Sequence, residues 1–126
     1  MRNALPTFMK MAERFAEKCN FVMVYLMEAH AADEWPLGTK VTINQHKTNK
    51  ERKDAATDLK EKYKINFPLV VDGIENTFHK TYAAWPERYF IVDKAGKLAH
   101  IAVPGPMGYT SAHIDQVQEW LENRCL

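Results

Sequence analysis

The amino-acid sequence predicts a small α/β domain, and three observations predict it. Stretches with apolar residues at helical spacing alternate with short runs rich in β-branched and aromatic residues. The last two such runs flank a Lys94-Ala95-Gly96-Lys97 turn, which makes them a β-hairpin. A single amphipathic stretch then closes the chain. The 126 residues, 46% of them hydrophobic, suit one domain over residues 1–126 with a real core.

Each element has a local cause. Phe8, Met11, Ala12, Phe15 and Cys19 fall on one helical face after Pro6, a residue suited to a first turn, so residues 6–19 are expected to be a helix. Phe21 to Met27 is a strand-like run. Residues 28–46 carry Pro36 and Gly38 and are expected to be irregular, with a short extended piece at Val41 to Asn44. Thr48 to Tyr63 is rich in Lys, Glu, Asp and Ala, with Ala55, Ala56, Leu59 and Tyr63 as its apolar stripe; it predicts a surface helix with a narrow contact face and a solvated charged one. Phe67 to Asp72, closed by Gly73, predicts a buried strand. Ile74, Thr77, Phe78 and Tyr82 mark a helix of about ten residues, which Trp85-Pro86 ends. Arg88 to Asp93 and Leu98 to Val103 are the hairpin strands. Thr110 can cap the closing helix, whose buried face is Ile114, Val117, Trp120 and Leu121.

Composition narrows the classes of partner. Lys and Arg number 17 against 16 Asp and Glu, and the basic residues are dispersed, so neither nucleic acid nor an anionic membrane is the expected partner. A small molecule or a protein is. No apolar stretch approaches the roughly 20 residues that span a bilayer. Lys10, Glu13 and Arg14 interrupt any signal-peptide core, so the chain as written is expected to be cytoplasmic and without a membrane anchor. Cys19 and Cys125 lie in neither a CxxC nor a zinc-ligand spacing and read as free thiols of a reducing compartment. No cofactor and no metal is expected.

The chemistry-bearing motif is Glu28-Ala29-His30, at the C-terminal end of the first strand. Alternate residues of an extended chain face the same way, so a carboxylate and an imidazole could line one cleft there. In α/β folds that end of a strand is where ligands bind.

The order αβ, αβ, α, ββ, α is the layout of the thioredoxin fold without the first, central strand of its catalytic βαβ unit. The residues themselves resemble the iodothyronine deiodinases, thioredoxin-fold enzymes that reductively remove iodine from thyroid hormones. Tyr25-Leu26-Met27-Glu28-Ala29-His30-Ala31-Ala32-Asp33-Glu34-Trp35 is similar to that family's Tyr-Ile-x-Glu-Ala-His-x-Ser-Asp-Gly-Trp signature, with Ala32 and Glu34 replacing Ser and Gly. Asn44-Gln45-His46, Pro68 to Asp72, Tyr82 to Val92 and Gly105-Pro106-x-x-Tyr109 follow in the family's order. The resemblance runs from about Pro6 to Leu121.

It implies a pocket for an aromatic, iodothyronine-like ligand, with Glu28, His30, His46 and Arg88 lining it. In that reaction a selenolate attacks iodine while the ring carbon gains a proton, so His30 is the expected donor, oriented by Glu28. Arg88 would pair with a ligand carboxylate or phenolate, His46 would hold the opposite end, and Trp35 would supply flat apolar surface. A thiol reductant and a homodimer are the family's other partners.

One departure bears on activity. Arg2-Asn3-Ala4-Leu5-Pro6-Thr7-Phe8 stands where the family has Ser-Cys-Thr-selenocysteine-Pro-x-Phe, so Leu5 occupies the nucleophile position. A hydrocarbon cannot ionise or attack iodine. Asn3 and Phe67 replace two further family cysteines. Two expectations follow: a non-redox relative that keeps a ligand pocket, or an incomplete product of a selenoenzyme gene, truncated near the codon for selenocysteine. A thiol enzyme using Cys19 or Cys125 is the weakest alternative, since neither begins a helix.

Overall fold

The computed structural model describes residues 4–28, 44–103 and 112–125. Its elements run α1 (Leu5–Arg14), β1 (Met23–Tyr25), α2 (Asn49–Tyr63), β2 (Leu69–Val71), α3 (Thr77–Tyr82), β3 (Phe90–Val92), β4 (Leu98–Ile101) and α4 (Ala112–Cys125). The mixed α/β order is the one expected. The chain forms two compact units: Met1–Phe21 together with Pro86–Leu126, and Val22–Trp85. Among the described residues the strands make two two-stranded sheets, β1 with β2 and β3 with β4.

The first unit joins the two ends of the chain. Phe15 is fully buried among Met11, Ile114, Val117 and Leu121, with Phe8, Phe21, Tyr89, Ile91 and Trp120 packed around them. Phe8 meets Phe21 edge-on at 5.7 Å between ring centroids, the arrangement that the aromatic quadrupole favours. Regular helix stops at Arg14, short of the expected Cys19. Phe15 has left helical geometry (φ −104°, ψ 14°), and its carbonyl accepts from both Lys18 N–H and Cys19 N–H at 2.9 Å. The helix end thus tightens into turns that satisfy its last carbonyls locally. In the closing helix Ile114, Val117 and Leu121 are buried as expected while Trp120 is partly buried, and the helix extends to Cys125; its expected cap, Thr110, lies outside the described residues.

In the hairpin, β3 and β4 pair antiparallel, with a bulge between Ile91 and Val92. Asp93 closes the turn. Its Oδ1 accepts from Ala95 N–H (2.9 Å) and Lys97 N–H (3.0 Å), and Gly96 takes φ +81°, a conformation that disfavours any side chain.

The second unit is a β1-α2-β2 unit, with the strands parallel in the register Met23 to Leu69, Val24 to Val70 and Tyr25 to Val71. The ladder is shorter than the predicted strands. Pro68 has no N–H and offers only its carbonyl, to Met23 N–H at 3.0 Å; at the far end Asp72 N–H donates to Tyr25 O at 2.9 Å. Thr48 caps α2 as an extended residue whose Oγ1 accepts from Glu51 N–H at 3.1 Å. Lys64 ends α2 in the left-handed region (φ 54°, ψ 47°). The helix expected from Ile74 begins only at Thr77, because Asn76 at φ +60° cannot continue a helix backwards and Ile74 N–H is held by Asn49 Oδ1 at 2.8 Å.

Phe15→Ala, which removes the fully buried ring between α1 and α4, is expected to cost about 3–5 kcal/mol of unfolding free energy. Urea denaturation of the two proteins measures it; a loss under about 1 kcal/mol would mean the core tolerates the gap.

Candidate functional site

The polar residues of the second unit gather at the C-terminal ends of its two parallel strands. Tyr25, 1% exposed, ends β1 and donates its hydroxyl to Glu28 Oε1. Gln45 holds the backbone of Glu28 from both sides: its Oε1 accepts from Glu28 N–H at 3.1 Å, and its Nε2 donates to Glu28 O at 2.9 Å. His46 is 7% exposed, its ring 5.9 Å from that of Tyr25.

The charge of α2 predicts a solvated face, and one of its cations is instead buried against His46. Arg52 of α2 is 1% exposed. Its Nη1 donates to Asp72 O (3.2 Å), Gly73 O (2.8 Å) and Asn76 Oδ1 (2.9 Å), and its Nε donates to His46 Nδ1 at 3.4 Å. Burial lowers the pKa of Arg52, while Asp72, Tyr25 and Glu28 act the other way. Asp72, 5% exposed, directs its own carboxylate to α3: Oδ1 accepts from Phe78 N–H at 2.9 Å and Oδ2 from His79 N–H at 3.0 Å. Asn76 makes no side-chain cap bond to α3, and its Oδ1 serves Arg52 instead; the Asp72 carboxylate takes over the capping.

This arrangement fixes the form of His46. A guanidinium only donates, so a hydrogen bond from Arg52 Nε requires a bare Nδ1, and the proton of the neutral imidazole is on Nε2. Among the described residues that buried Nε2 has no hydrogen-bond partner. Burial is the first cause lowering the His46 pKa below its ordinary 6.5; Glu28 and Glu51 act to raise it, and Arg52 adds to the lowering. Burial and the Arg52 contact thus both favour the neutral imidazole with its proton on Nε2. An open depression of ≈ 480 Å³ adjoins it, with Gln45, Glu51 and Asp54 among its lining residues.

The structure thus brings Glu28 and His46 into one unit. His30 and Trp35, the expected proton donor and aromatic wall, lie outside the described residues. Arg88 and Leu5 belong to the other unit. Arg88 Nε donates to Ala102 O at 2.6 Å, and its guanidinium lies 5.4 Å from the Phe90 ring centroid, so backbone and aromatic contacts already engage it. Leu5 is in the first turn of α1 and 2% exposed. Sequence reasoning missed Arg52 and Asp72. A signal for Arg52 was present: the stripe Tyr63, Leu59, Ala56, carried back one more turn, falls on it. Among the described residues no group of three or more His, Cys, Asp or Glu could hold a metal ion, and no helix is long and apolar enough to cross a membrane.

These features define a small α/β domain with a carboxylate, an imidazole and a buried guanidinium assembled at the end of a parallel strand pair. The chain belongs to the iodothyronine deiodinase family, whose model, described as "Iodothyronine deiodinase", matches residues 1–125. It is 36% identical over 115 residues to a type I iodothyronine deiodinase of Xenopus laevis, covering 91% of this chain and 45% of the relative. Against type II iodothyronine deiodinases it is 32% identical for Aquarana catesbeiana (94% of this chain, 45% of the relative) and 30% for Homo sapiens (94% and 44%). The chain spans a little under half the length of these curated relatives.

Arg52→Met is expected to destabilise the protein by about 3 kcal/mol, since it leaves two main-chain carbonyls, an amide oxygen and the buried His46 Nδ1 without their donor; chemical denaturation checks it. His46 gives a pH dependence of definite sign. Its folded pKa lies below the unfolded 6.5, so its contribution is complete above that value. As pH falls from there towards the folded pKa, the unfolded chain takes up the proton first and stability is lost. The unfolding free energy of His46→Gln, measured across the same range, should fall less steeply with decreasing pH than that of the parent; parallel curves would exclude His46 as the source.

Proposed function

We propose that this chain is a deiodinase-type domain that binds an iodothyronine but, as written, does not carry out reductive deiodination. The observation that carries the reading is Leu5. It stands at the position that the family resemblance assigns to selenocysteine, in the first turn of α1, as a hydrocarbon with 2% exposure. No neighbouring charge can turn such a side chain into a nucleophile. The proposed fold is thioredoxin-like, a single domain.

In this reading His46 donates from Nε2 to an acceptor on the ligand, a phenolic oxygen or a carboxylate. Its tautomer, held by Arg52, suits that role. Glu28, fixed by Tyr25 and Gln45, orients His30, the proton donor of the family reaction. Arg88 pairs with the negative end of the ligand and Trp35 stacks on a ring. A thiol reductant matters only to a chain that carries the nucleophile, and a homodimer is the assembly proposed from the family.

The purified chain, given thyroxine and excess dithiol, should release no more iodide than buffer, while thyroxine binds saturably by fluorescence quenching. His46→Ala and Arg88→Ala should each weaken that binding about tenfold, the loss of one hydrogen-bonded partner in a desolvated site. Iodide release in proportion to protein would overturn the loss of reaction. Failure of the folded chain to bind thyroxine would overturn the ligand.

A further inference from the structure

Cys19 and Cys125 are separated by 106 positions in the sequence, yet their sulfur atoms lie 3.7 Å apart. Cys19 follows the turns that end α1, and Cys125 is the last residue of α4. Both are partly exposed and packed against the Met11, Phe15, Ile114, Val117 and Leu121 cluster, so one core fixes the approach of both thiols. On the same two helices Arg14 Nη1 meets Glu122 Oε1 at 2.5 Å, a second tie close to the sulfurs in sequence.

We propose that Cys19 and Cys125 form a redox modification site, which closes to an intramolecular disulfide by exchange with a low-molecular-weight disulfide of the glutathione type. A disulfide bond is about 2.05 Å long, so the sulfurs must approach by about 1.6 Å, a distance within reach of side-chain rotation. In the first step one cysteine thiolate attacks a sulfur of the oxidised tripeptide, releasing one glutathione thiolate and leaving a mixed disulfide on the protein. In the second step the other thiolate attacks the protein sulfur of that mixed disulfide and releases the second glutathione. The chain loses two electrons and two protons; the small disulfide gains the electrons and becomes two thiols.

Burial and the neighbouring Cys125 thiol push the Cys19 pKa up. Little thiolate is therefore present at neutral pH, and exchange is slow until the medium is mildly alkaline or the oxidant abundant. The pair is a sensor of sustained oxidation rather than a turnover catalyst. Its bond joins residues near opposite ends of the chain across 106 positions, a separation at which a cross-link strongly restricts the unfolded state. Nothing in this site depends on the ligand reading of the second unit.

The full chain, reduced and freed of reductant, is incubated with oxidised glutathione in mildly alkaline buffer and examined by intact mass, thiol alkylation and non-reducing tryptic mapping. The expected product has lost two hydrogen masses, resists alkylation at both cysteines, and yields one peptide pair joined through Cys19 and Cys125. Its Tm should rise by several degrees and return to the starting value with dithiothreitol. Cys125→Ser should instead stop at a glutathione adduct on Cys19, with no rise in Tm. Two free thiols at equilibrium, a separate glutathione adduct on each cysteine of the parent chain, or disulfide-linked dimers in place of the internal bond would each overturn the proposal.

Discussion

A cation with 1% exposure persists inside a protein only where its surroundings replace the water it has lost, and the surroundings of Arg52 are correspondingly specific. Two main-chain carbonyls where the chain leaves β2, the amide oxygen of Asn76 and the imidazole of His46 all take hydrogen bonds from its guanidinium. Several features of the second unit follow from this one group. The exit of β2 is set by the carbonyls of Asp72 and Gly73. Asn76 gives its oxygen to the guanidinium, so Asp72 supplies the cap of α3. His46 accepts at Nδ1 and keeps its proton at Nε2.

Structure and candidate chemistry are therefore joined in the same contacts. Arg52 acts through His46, because its contact at Nδ1 decides which of that ring's nitrogens can donate. Tyr25 acts similarly on Glu28: a buried phenol at the end of β1 holds the carboxylate, while Gln45 holds the peptide beneath it. Lysine in place of Arg52 would keep the charge but not the planar fork that serves several acceptors at once.

The sequence is informative about this fold where periodicity is unambiguous. The stripe through Met11 and Phe15 and the one through Ile114, Val117 and Leu121 are the buried cluster of the first unit. The hairpin around Gly96 and the cap at Thr48 also follow from residue type. Element ends were less legible, because they depend on hydrogen bonds made across the chain: Asn49 to Ile74, Tyr25 to Asp72, and the single acceptor that Pro68 can offer. Of the site, Glu28 and His46 stood out by motif. Arg52 was hidden among the lysines and glutamates of α2, whose high charge suggests solvent at every position except the one facing inward.

The double hydrogen bond between the Gln45 amide and the Glu28 peptide unit has a consequence for the chain on either side of it. It behaves like one rung of a sheet made by a side chain, and it joins the two residues that bracket the connection from β1 towards α2. With both ends of that connection pinned, the entropy of closing it depends only weakly on its length, each doubling adding roughly 0.6 kcal/mol. The strand before that connection and the helix after it are also held by contacts outside it, the Asp72 N–H to Tyr25 O bond and the Thr48 cap on Glu51 N–H.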